Sequence, residues 1–371
     1  MKFSCEKQVL LTAVMTASRA ASPKSPIPAL EGLLIEAGSK VRVTGYDLKR
    51  GIYTNVPADV TEPGSIILNA KLFGDIVRSL PDGVVDVTTD SGFMTRITCG
   101  RADFSIMGFD SDDYPELPDA DGHNNTIEVE QALLGDMIRR TIFAVSDNEA
   151  RPVYTGSLFE IENGVLTVVS VDGYRLALRR GKVVHSDFES NSFIVPGMAL
   201  SDVEKICTES ETPVRITLGL KHISFTIGDT VVVSRRLEGE FLNYRRSVPT
   251  EFKYTVGVTR TEMSRIVDRV SLIIDAKTKN PLRCTFGDGE MKLVCVTNLG
   301  KAEDFCPISG NGGDLEIGFN NRYLLDALRA APADELKLCL NTGSSPCVIL
   351  PAKDTDDFVF MILPVRLRAG D

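Results

Sequence analysis

The residues that could carry catalytic chemistry are few in this chain and form no recognised catalytic group. Ser146-Asp147-Asn148 resembles the SDN element of penicillin-binding enzymes, but no SxxK or KTG sequence accompanies it. No GxSxG, P-loop or GxGxxG sequence occurs. The carboxylates Asp110, Asp112 and Asp113 could serve acid–base chemistry, yet they stand in an acidic run typical of a solvated linker. The sequence therefore predicts that the chain is not an enzyme.

Metal ligands are equally sparse. The 8 cysteines form no CxxC pair and fall mostly within apolar alternations. The histidines His123, His185 and His222 are spread far apart, and no HExxH occurs. Asp119–Glu128 resembles a calcium loop only loosely, because Gly122 is out of place relative to the aspartates. We predict no metal, no cofactor and buried free thiols, typical of a reducing cytoplasm.

The clearest chemical pattern belongs to basic side chains on predicted helices. The formal net charge is −10, which by itself argues against a nucleic-acid partner. Arg265 and Arg269 are four residues apart and share one helix face, whereas acidic residues crowd the loops, above all Asp110–Asp121. For one helix alone, an ordinary solvated face is the better interpretation. Six helices in a repeated frame would instead form a basic surface that attracts phosphates without reading bases.

A repeated hairpin indicates what positions those helices. Val168–Arg180 alternates apolar and polar residues on both sides of Asp172-Gly173, a pattern typical of two strands joined by a tight turn. Similar sequences surround Asp47 and Asn298, so the spacings are 172 − 47 = 125 and 298 − 172 = 126 residues. A period near 125 in 371 residues predicts three copies of one domain.

Each copy shows the same order of elements. A short strand and a first helix open it, and the predicted helices span Glu6–Arg19, Gln131–Val145 and Thr261–Ile273. A second helix follows in each copy, and these are predicted over Ala70–Leu80, Gly197–Thr208 and Arg322–Ala330. Asn69 suits an N-cap, as do Asn320 or Asn321 and Thr259 or Thr261. Strands joined by short turns fill the rest, which predicts an α+β fold with antiparallel sheets.

Domain limits follow from two linkers. Asp110–Asn125 is acidic and rich in Pro and Gly, and Leu237–Phe252 is its counterpart. We predict domains over 1–120, 126–249 and 252–371. No apolar run of about 18 residues suggests a membrane span, and the N-terminus does not resemble a secretory signal.

The whole order resembles the bacterial DNA polymerase III beta subunit, the replicative sliding clamp. The specific pieces are MKFSCEKQVLL at the start, SVDGYRLA in the middle, EGEFLNYRRSVP at 238–249, IGFNNRYLLDAL at 317–328 and ILPVRL near the end. The resemblance implies three tandem clamp-fold domains and a head-to-tail homodimer that closes as a six-domain ring. Such a ring would hold duplex DNA without sequence specificity and act as a processivity factor in the cytoplasm. The partners implied are double-stranded DNA, the polymerase III alpha subunit, the clamp loader, and other polymerases and repair proteins.

The resemblance also implies a cleft for partner peptides. Its positions in this sequence are Tyr154, Val171, Gly173, Tyr174, Arg175, Leu176, Leu242, Arg246, Ser247, Met361, Ile362, Leu363, Pro364, Val365 and Arg366. Leu242 stands where the family usually has proline, and Ser247 where it has an aliphatic residue. The chain also continues past Leu367. These departures leave the preferred peptide motif open.

Two further sites are implied. Phe104 and Ile106 would meet Leu272 and Ile273 of a second chain at the dimer contact. The DNA-facing candidates are Lys24, Lys71, Arg78, Arg139, Lys205, Arg265, Arg269, Arg322 and Arg329. Which of them contact phosphate stays open, and so does the alternative of a protein-binding repeat scaffold that does not encircle DNA.

Overall fold

A computed structural model describes residues 1–118, 125–275, 280–353 and 357–367. Two predictions lie partly outside these ranges, namely the loose calcium loop that begins at Asp119 and the predicted domain ends at 120 and 371. No helix of the described residues is long and apolar enough to cross a membrane.

The three predicted repeats are present, and each has the order strand, helix, strands, helix, strands, with fewer and longer strands in the third. The first holds β1 (Lys2–Glu6), α1 (Lys7–Ala17), β2 (Gly32–Ala37), β3 (Val41–Tyr46), β4 (Arg50–Val56), β5 (Asp59–Glu62), β6 (Gly64–Asn69), α2 (Ala70–Ser79), β7 (Val84–Thr89), β8 (Met94–Cys99) and β9 (Ala102–Met107). The second holds β10 (Thr126–Glu130), α3 (Gln131–Thr141), β11 (Gly156–Glu162), β12 (Val165–Val171), β13 (Arg175–Lys182), β14 (His185–Ser186), β15 (Ser190–Pro196), α4 (Gly197–Ile206), β16 (Pro213–Leu218), β17 (His222–Ile227) and β18 (Thr230–Arg235). After the short helix α5 (Tyr244–Ser247), the third holds β19 (Tyr254–Thr259), α6 (Arg260–Val270), β20 (Leu282–Thr297), β21 (Gly300–Phe319), α7 (Asn321–Ala330), β22 (Glu335–Leu340), β23 (Cys347–Pro351) and β24 (Phe358–Ile362).

The chain folds into two compact units. Unit 1 comprises Met1–Gly135, Val183–Phe188 and Met198–Arg236, and unit 2 comprises Asp136–Lys182, Glu189–Gly197 and Leu237–Asp371. All strand pairs recorded among the described residues are antiparallel, as predicted. Unit 1 contains a sheet in the order β5-β1-β7-β8-β9 and a second in the order β14-β10-β16-β17-β18-β4-β3-β2-β6. Unit 2 contains the order β15-β11-β12-β13-β24-β23-β22-β19-β21-β20.

These sheets join successive repeats, because an edge strand of one repeat pairs with an edge strand of the next. In unit 1, β4 pairs with β18, so Arg50 lies opposite Ser234. In unit 2, β13 pairs with β24, so Arg175 lies opposite Ile362. Shared sheets explain why the three sequence repeats form two compact units.

The helix pairs α1/α2 of unit 1 and α6/α7 of unit 2 each bury an apolar face in a core shared with a sheet. In unit 1 the core contains Phe3, Leu10 and Phe73, all fully buried. In unit 2 the equivalent core contains Met263 and Phe286, also fully buried. Burial of this kind supplies about 1.5–3 kcal/mol for each large side chain, which is the main stabilisation of such a layered domain.

The predicted helix starts are partly right. Asn69 Oδ1 accepts from the Leu72 amide at 2.9 Å and Asn320 Oδ1 accepts from the Arg322 amide at 3.0 Å, so both asparagines cap as predicted. Thr259 occupies the N-cap position of α6, as one of the two predictions had it, but its side chain accepts no hydrogen bond from the helix. The cap comes from Asp334, whose carboxylate accepts from the Thr261 amide at 3.1 Å and from its hydroxyl at 2.8 Å. These hydrogen bonds, led by the Thr261 hydroxyl, lower the pKa of Asp334.

The predicted ends of the first helices extend too far. α3 ends at Thr141 and α6 at Val270, and each is followed by a 3-10 turn, Ile142–Ala144 and Ser271–Ile273. The apolar residues of those turns continue the helical spacing, so periodicity alone cannot place the change of geometry.

Substitution of Asn320 by alanine is expected to lower the free energy of unfolding by about 1 kcal/mol, because two amides of the first turn of α7 lose their acceptor. Chemical denaturation measures this change. Asn321→Ala is the matched control, since Asn321 is already inside the helix and accepts from neither amide. Equal losses for both variants would contradict the capping role.

Candidate functional site

The residues predicted to form a peptide cleft come together in unit 2. Tyr154, Val171, Leu176, Leu242, Met361 and Leu363 belong to one hydrophobic cluster. They come from a 3-10 turn at Pro152–Thr155, the β12–β13 hairpin, the segment before α5, and the chain at and after β24. Residues separated by more than 200 positions in sequence thus share one apolar patch.

Burial divides this cluster into a floor and a wall. Val171, Leu176 and Met361 are almost completely buried and form the floor. Tyr154, Leu242 and Leu363 are partly exposed and form the wall, so only they can meet a ligand directly. Phe241, which the sequence analysis did not assign to the cleft, packs edge-on against Tyr154 with ring centroids 5.6 Å apart. Phe241 could have been predicted from the sequence, because it directly precedes Leu242, which was assigned to the cleft.

Backbone hydrogen bonds hold the rim of the cleft. Asp172 Oδ1 accepts from the amides of Tyr174 and Arg175 at 2.9 and 3.0 Å, which closes the β12–β13 turn. Gly173 takes a φ of +94° in that turn, a conformation that an L side chain rarely adopts. The Tyr174 carbonyl accepts a hydrogen bond from the Leu363 amide at 2.8 Å. Tyr174 itself remains 62% exposed. The turn therefore presents Tyr174 to solvent beside the wall.

A cavity of about 560 Å³ opens next to this turn within unit 2. Its lining includes Tyr154, Gly173, Tyr174 and Arg175 from the predicted cleft set, and also Arg151 and Tyr323. Burial raises the pKa of Tyr323, so its hydroxyl stays protonated near neutral pH. Sequence reasoning missed Arg151 and Tyr323, because neither belongs to an apolar alternation that points to a cleft.

Arg175 was predicted to serve the cleft, and its charge is already engaged inside unit 2. The residue is only 8% exposed. Its guanidinium donates to Asp172 at 2.9 Å and to Asp326 at 2.6 Å. It also lies 4.5 Å from the centroid of the Tyr323 ring. Arg175 therefore stabilises the wall, and little of its charge is available to a ligand.

The other predicted cleft residues lie on or near the C-terminal segment and α5. The Val365 amide donates to the Gly318 carbonyl at 2.8 Å, which fixes Pro364 and Val365 as partly exposed wall residues. Arg246 and Arg366 are exposed, and Ile362 is buried. The Ser247 hydroxyl donates to the Asn243 carbonyl, four residues earlier, at 3.1 Å, so this side chain is engaged within α5. The cleft thus has an apolar floor with basic side chains on its rim.

Two of the residues predicted for a dimer contact, Phe104 and Leu272, are exposed apolar side chains, whereas Ile106 and Ile273 are partly buried against the cores of their units. Phe104 and Ile106 lie on β9, the edge strand of the five-stranded sheet of unit 1, and Phe104 is 37% exposed. Leu272 lies in the 3-10 turn after α6 of unit 2 and is 83% exposed, while Ile273 is partly buried. Exposed apolar residues on an unpaired sheet edge favour association with another chain.

The predicted DNA-facing residues are all exposed, and they differ in their partners. Lys24, Lys71, Lys205 and Arg265 make no ion pair with the described residues. Four of the other predicted residues form ion pairs with nearby carboxylates. These pairs are Arg78–Asp75 at 2.9 Å, Arg269–Asp304 at 2.7 Å, Arg322–Asp326 at 4.0 Å and Arg329–Asp268 at 3.0 Å. Arg139 also has a polar contact. Exposed pairs of this kind are weak and can exchange a carboxylate for a phosphate.

The arginines of α6 and α7 lie on adjoining helix faces of unit 2. Arg329 of α7 reaches Asp268 of α6, so the two helices present their charged residues side by side. Hydrogen bonds from Arg269 lower the pKa of Asp304, which therefore stays ionised well into the acid range. Alternating charges give this face mild positive character instead of a dense basic patch.

Family models match the chain in three consecutive parts. The N-terminal, central and C-terminal domain models of the DNA polymerase III beta subunit match residues 1–118, 128–243 and 245–366. The three matches follow the three structural repeats in order.

Relatives match over nearly the whole length. The beta sliding clamp of Halalkalibacterium halodurans is 32% identical over 381 residues, covering 99% of this chain and 100% of the relative. That of Staphylococcus epidermidis is 30% identical over 379 residues, covering 99% of each.

Solved structures of bacterial sliding clamps have the same fold as this chain. The Bacillus subtilis DNA polymerase sliding clamp superposes with a TM-score of 0.92 at 29% identity, and the Pseudomonas aeruginosa clamp bound to griselimycin with 0.93 at 27%. Both cover 99% of this chain and 100% of theirs. With three tandem domains of antiparallel sheets and paired helices, the chain belongs to the DNA polymerase III beta subunit family, the bacterial sliding clamps.

Proposed function

We propose that two copies of this chain close head to tail into a ring around duplex DNA and act there as a processivity factor. The observation that carries this proposal is the family match through all three repeats. A match of that extent favours a clamp over a protein-binding scaffold that does not encircle DNA. The proposed domains span 1–120, 126–249 and 252–371, and the ring would act in the cytoplasm, where the chromosome is replicated.

The ring explains the charge of the chain. A topologically held protein needs only weak, sequence-blind attraction to DNA, because escape requires opening the ring. The exposed Lys24, Lys71, Lys205 and Arg265 supply that attraction in our proposal. The net charge of −10 then discourages DNA from binding elsewhere on the protein.

The cleft of unit 2 is proposed to dock short peptides of the replicative polymerase, the clamp loader and repair proteins. Its partly exposed apolar wall suits aliphatic or aromatic anchors, and the exposed Arg246 and Arg366 suit acidic or carboxylate groups of a peptide. The proposed role is binding without catalysis. Tethering through a peptide leaves the ring free to slide with its partner.

Sedimentation equilibrium tests the dimer. At micromolar concentration we expect a mass of twice the 40.5 kDa of one chain. A monomer at that concentration would contradict the ring. Phe104→Glu should shift the equilibrium toward monomer, because it places a charge in the proposed apolar contact. Val184→Glu is the control, since Val184 is an exposed apolar residue of unit 1 that belongs neither to β9 nor to its neighbouring strand.

Replacing Arg265, Arg269 and Arg322 together by alanine should weaken DNA association uniformly across sequences. The magnitude of the salt slope of log K is expected to fall by about 1 for each phosphate that the variant no longer neutralises. Fluorescence anisotropy on duplex DNA at low salt measures it. The control replaces the exposed residues Lys182, Lys221 and Arg235, which lie on strands and turns. An unchanged slope in the helix variant would remove these arginines from the DNA-facing set.

A further inference from the structure

The junction between the first two repeats, inside unit 1, has the same backbone frame as the cleft of unit 2. At the cleft, the Leu363 amide donates to the Tyr174 carbonyl at 2.8 Å. In unit 1, the Arg235 amide donates to the Lys49 carbonyl at 3.1 Å. Each bond joins a residue just before the second strand of a hairpin to a residue at the end of the strand that pairs with it.

Strand pairing shows that the two frames correspond position by position. Arg50 lies opposite Ser234 where β4 pairs with β18, and Arg175 lies opposite Ile362 where β13 pairs with β24. In each frame, the hydrogen bond lies one residue beyond this pair. The side chains at equivalent positions can therefore be compared directly.

Those side chains are apolar at the cleft and basic at the junction in unit 1. Lys49 and Arg235 stand where the cleft has a tyrosine and a leucine, and both are exposed. The amide of the next residue, Arg236, donates to the Lys221 carbonyl at 2.9 Å, which brings exposed Lys221 alongside. Basic residues from three segments of the chain thus meet at one end of the β4–β18 pair.

The charges of this basic group are not neutralised by ion pairs. Within the described part of the chain, Lys49, Lys221 and Arg235 form none. Burial lowers the pKa of His222, and the nearby charges of Arg235 and Lys221 lower it further, so these two cations act at one place. On a chain with a net charge of −10, such a group favours an anionic partner.

Two exposed leucines adjoin the basic residues. Leu48, which is 51% exposed, precedes Lys49, and Leu220, which is 98% exposed, precedes Lys221. Leu48 has a φ of +71°, a conformation that leucine rarely adopts, whereas the cleft has Gly173 at the equivalent position. Aliphatic side chains held in water beside cations suit a polypeptide that carries both carboxylates and apolar residues.

We propose that a basic surface formed by Leu48, Lys49, Leu220, Lys221 and Arg235 docks an acidic segment of a partner protein with aliphatic residues among its carboxylates. The carboxylates would pair with the three cations, and the aliphatic side chains would cover the leucines. This second docking site on each chain goes beyond the proposed ring and cleft. Its preference is opposite to that of the apolar cleft, so the two sites would select different partners.

Duplex DNA is the other polyanion that this surface could attract. The predicted DNA-facing residues other than Lys24 lie on helices, whereas the cations of the basic surface lie in turns and at the end of a strand. A phosphate backbone would also leave Leu48 and Leu220 uncovered. The leucines therefore favour a protein partner, and duplex DNA serves as a separate arm of the test.

Fluorescence anisotropy of a fluorescein-labelled peptide of Glu-Glu-Leu repeats tests the charges. Lys49→Glu combined with Arg235→Glu should weaken binding of this probe about tenfold or more at low salt, because two attractions become repulsions. Lys2→Glu combined with Lys182→Glu is the charge-matched control, on exposed lysines outside the surface, and should weaken it less than about threefold. Equal losses would reveal attraction to the overall charge only and would overturn the site.

Leu220→Ser tests the apolar part of the surface with little risk to the fold, since Leu220 is 98% exposed. This variant should bind the Glu-Glu-Leu probe about threefold more weakly than the original chain does. It should bind a probe of Glu-Glu-Ser repeats as well as the original chain. Unchanged affinity for both probes would mean that charge alone attracts the peptide, which contradicts the role of the leucines.

An apolar clamp-binding peptide and duplex DNA separate the basic surface from the other proposed sites. The Lys49→Glu, Arg235→Glu variant should keep its affinity for the clamp-binding peptide, whereas Leu363→Glu should keep its affinity for the acidic probe. Loss of the acidic probe from Leu363→Glu would place it in the cleft and overturn the second site. A loss of duplex DNA affinity as large as that for the probe would make the surface a phosphate site and overturn the protein partner. A chain that formed no ring could still bind the probe, so the two proposals fail separately.

Discussion

Substitution of Leu363 by glutamate should lower the affinity for a clamp-binding peptide by about 100-fold or more. Leu363 is a partly exposed wall residue of the hydrophobic cluster in unit 2, and its amide is held by the Tyr174 carbonyl at 2.8 Å. A charge there would have to lose its hydration when an apolar anchor fills the cleft. Isothermal titration with a polymerase-derived clamp-binding peptide measures the loss.

The choice of Leu363 matters because the cleft floor cannot be tested in the same way. Leu176 is fully buried, so Leu176→Glu would place a charge in the core and unfold unit 2. Leu220→Glu is the control for Leu363→Glu, since Leu220 is 98% exposed and lies outside the cleft. Undiminished binding by a folded, dimeric Leu363→Glu variant would rule out the proposed cleft.

The second large effect is expected at Arg175. Arg175→Met should lower the free energy of unfolding by about 3 kcal/mol, because Asp172 loses its guanidinium partner in a nearly buried site and Asp326 keeps only Arg322, at 4.0 Å. The methionine side chain keeps much of the apolar stem, so the loss reports the charge and not the packing. Denaturant unfolding followed by circular dichroism measures it.

A second variant separates the ion pairs from general disruption. Arg175→Met combined with Asp172→Asn and Asp326→Asn removes the uncompensated charges and should recover a large part of the lost stability. Arg180→Met is the control, because Arg180 pairs with Asp357 on a more exposed part of the same strand. If the single Arg175 variant were as stable as the Arg180→Met control, the ion pairs of Arg175 with Asp172 and Asp326 would not stabilise the contact between the second and third repeats.

The sequence was most informative where structure depends on neighbouring residues. The Asp172-Gly173 turn and the caps Asn69 and Asn320 could be predicted, because each depends on hydrogen bonds within about four residues. The cap of α6 could not, since Asp334 is 73 residues from Thr261 and reaches it only through the fold.

The same limit applies to the site. The family resemblance placed Arg175 at the cleft, and nothing near it in sequence indicates that Asp326, 151 residues away, engages its charge. Tyr323 was missed for the same reason, whereas Phe241 could have been assigned from its apolar neighbour Leu242. The apolar members of the cleft, such as Leu176 and Leu363, were likewise assigned by the family resemblance, since all of Arg175–Leu178 are buried and burial alone does not mark a cleft.

Retention on circular DNA tests the central claim most directly. The protein is loaded onto nicked circular duplex DNA by a bacterial clamp loader with ATP, and the complex is isolated by gel filtration at high salt. A ring held by topology should remain on the circle under salt that abolishes ordinary binding, and should be lost once a restriction enzyme linearises the DNA. Equal retention on circular and linear DNA, or loss from both as salt rises, would contradict an encircling clamp.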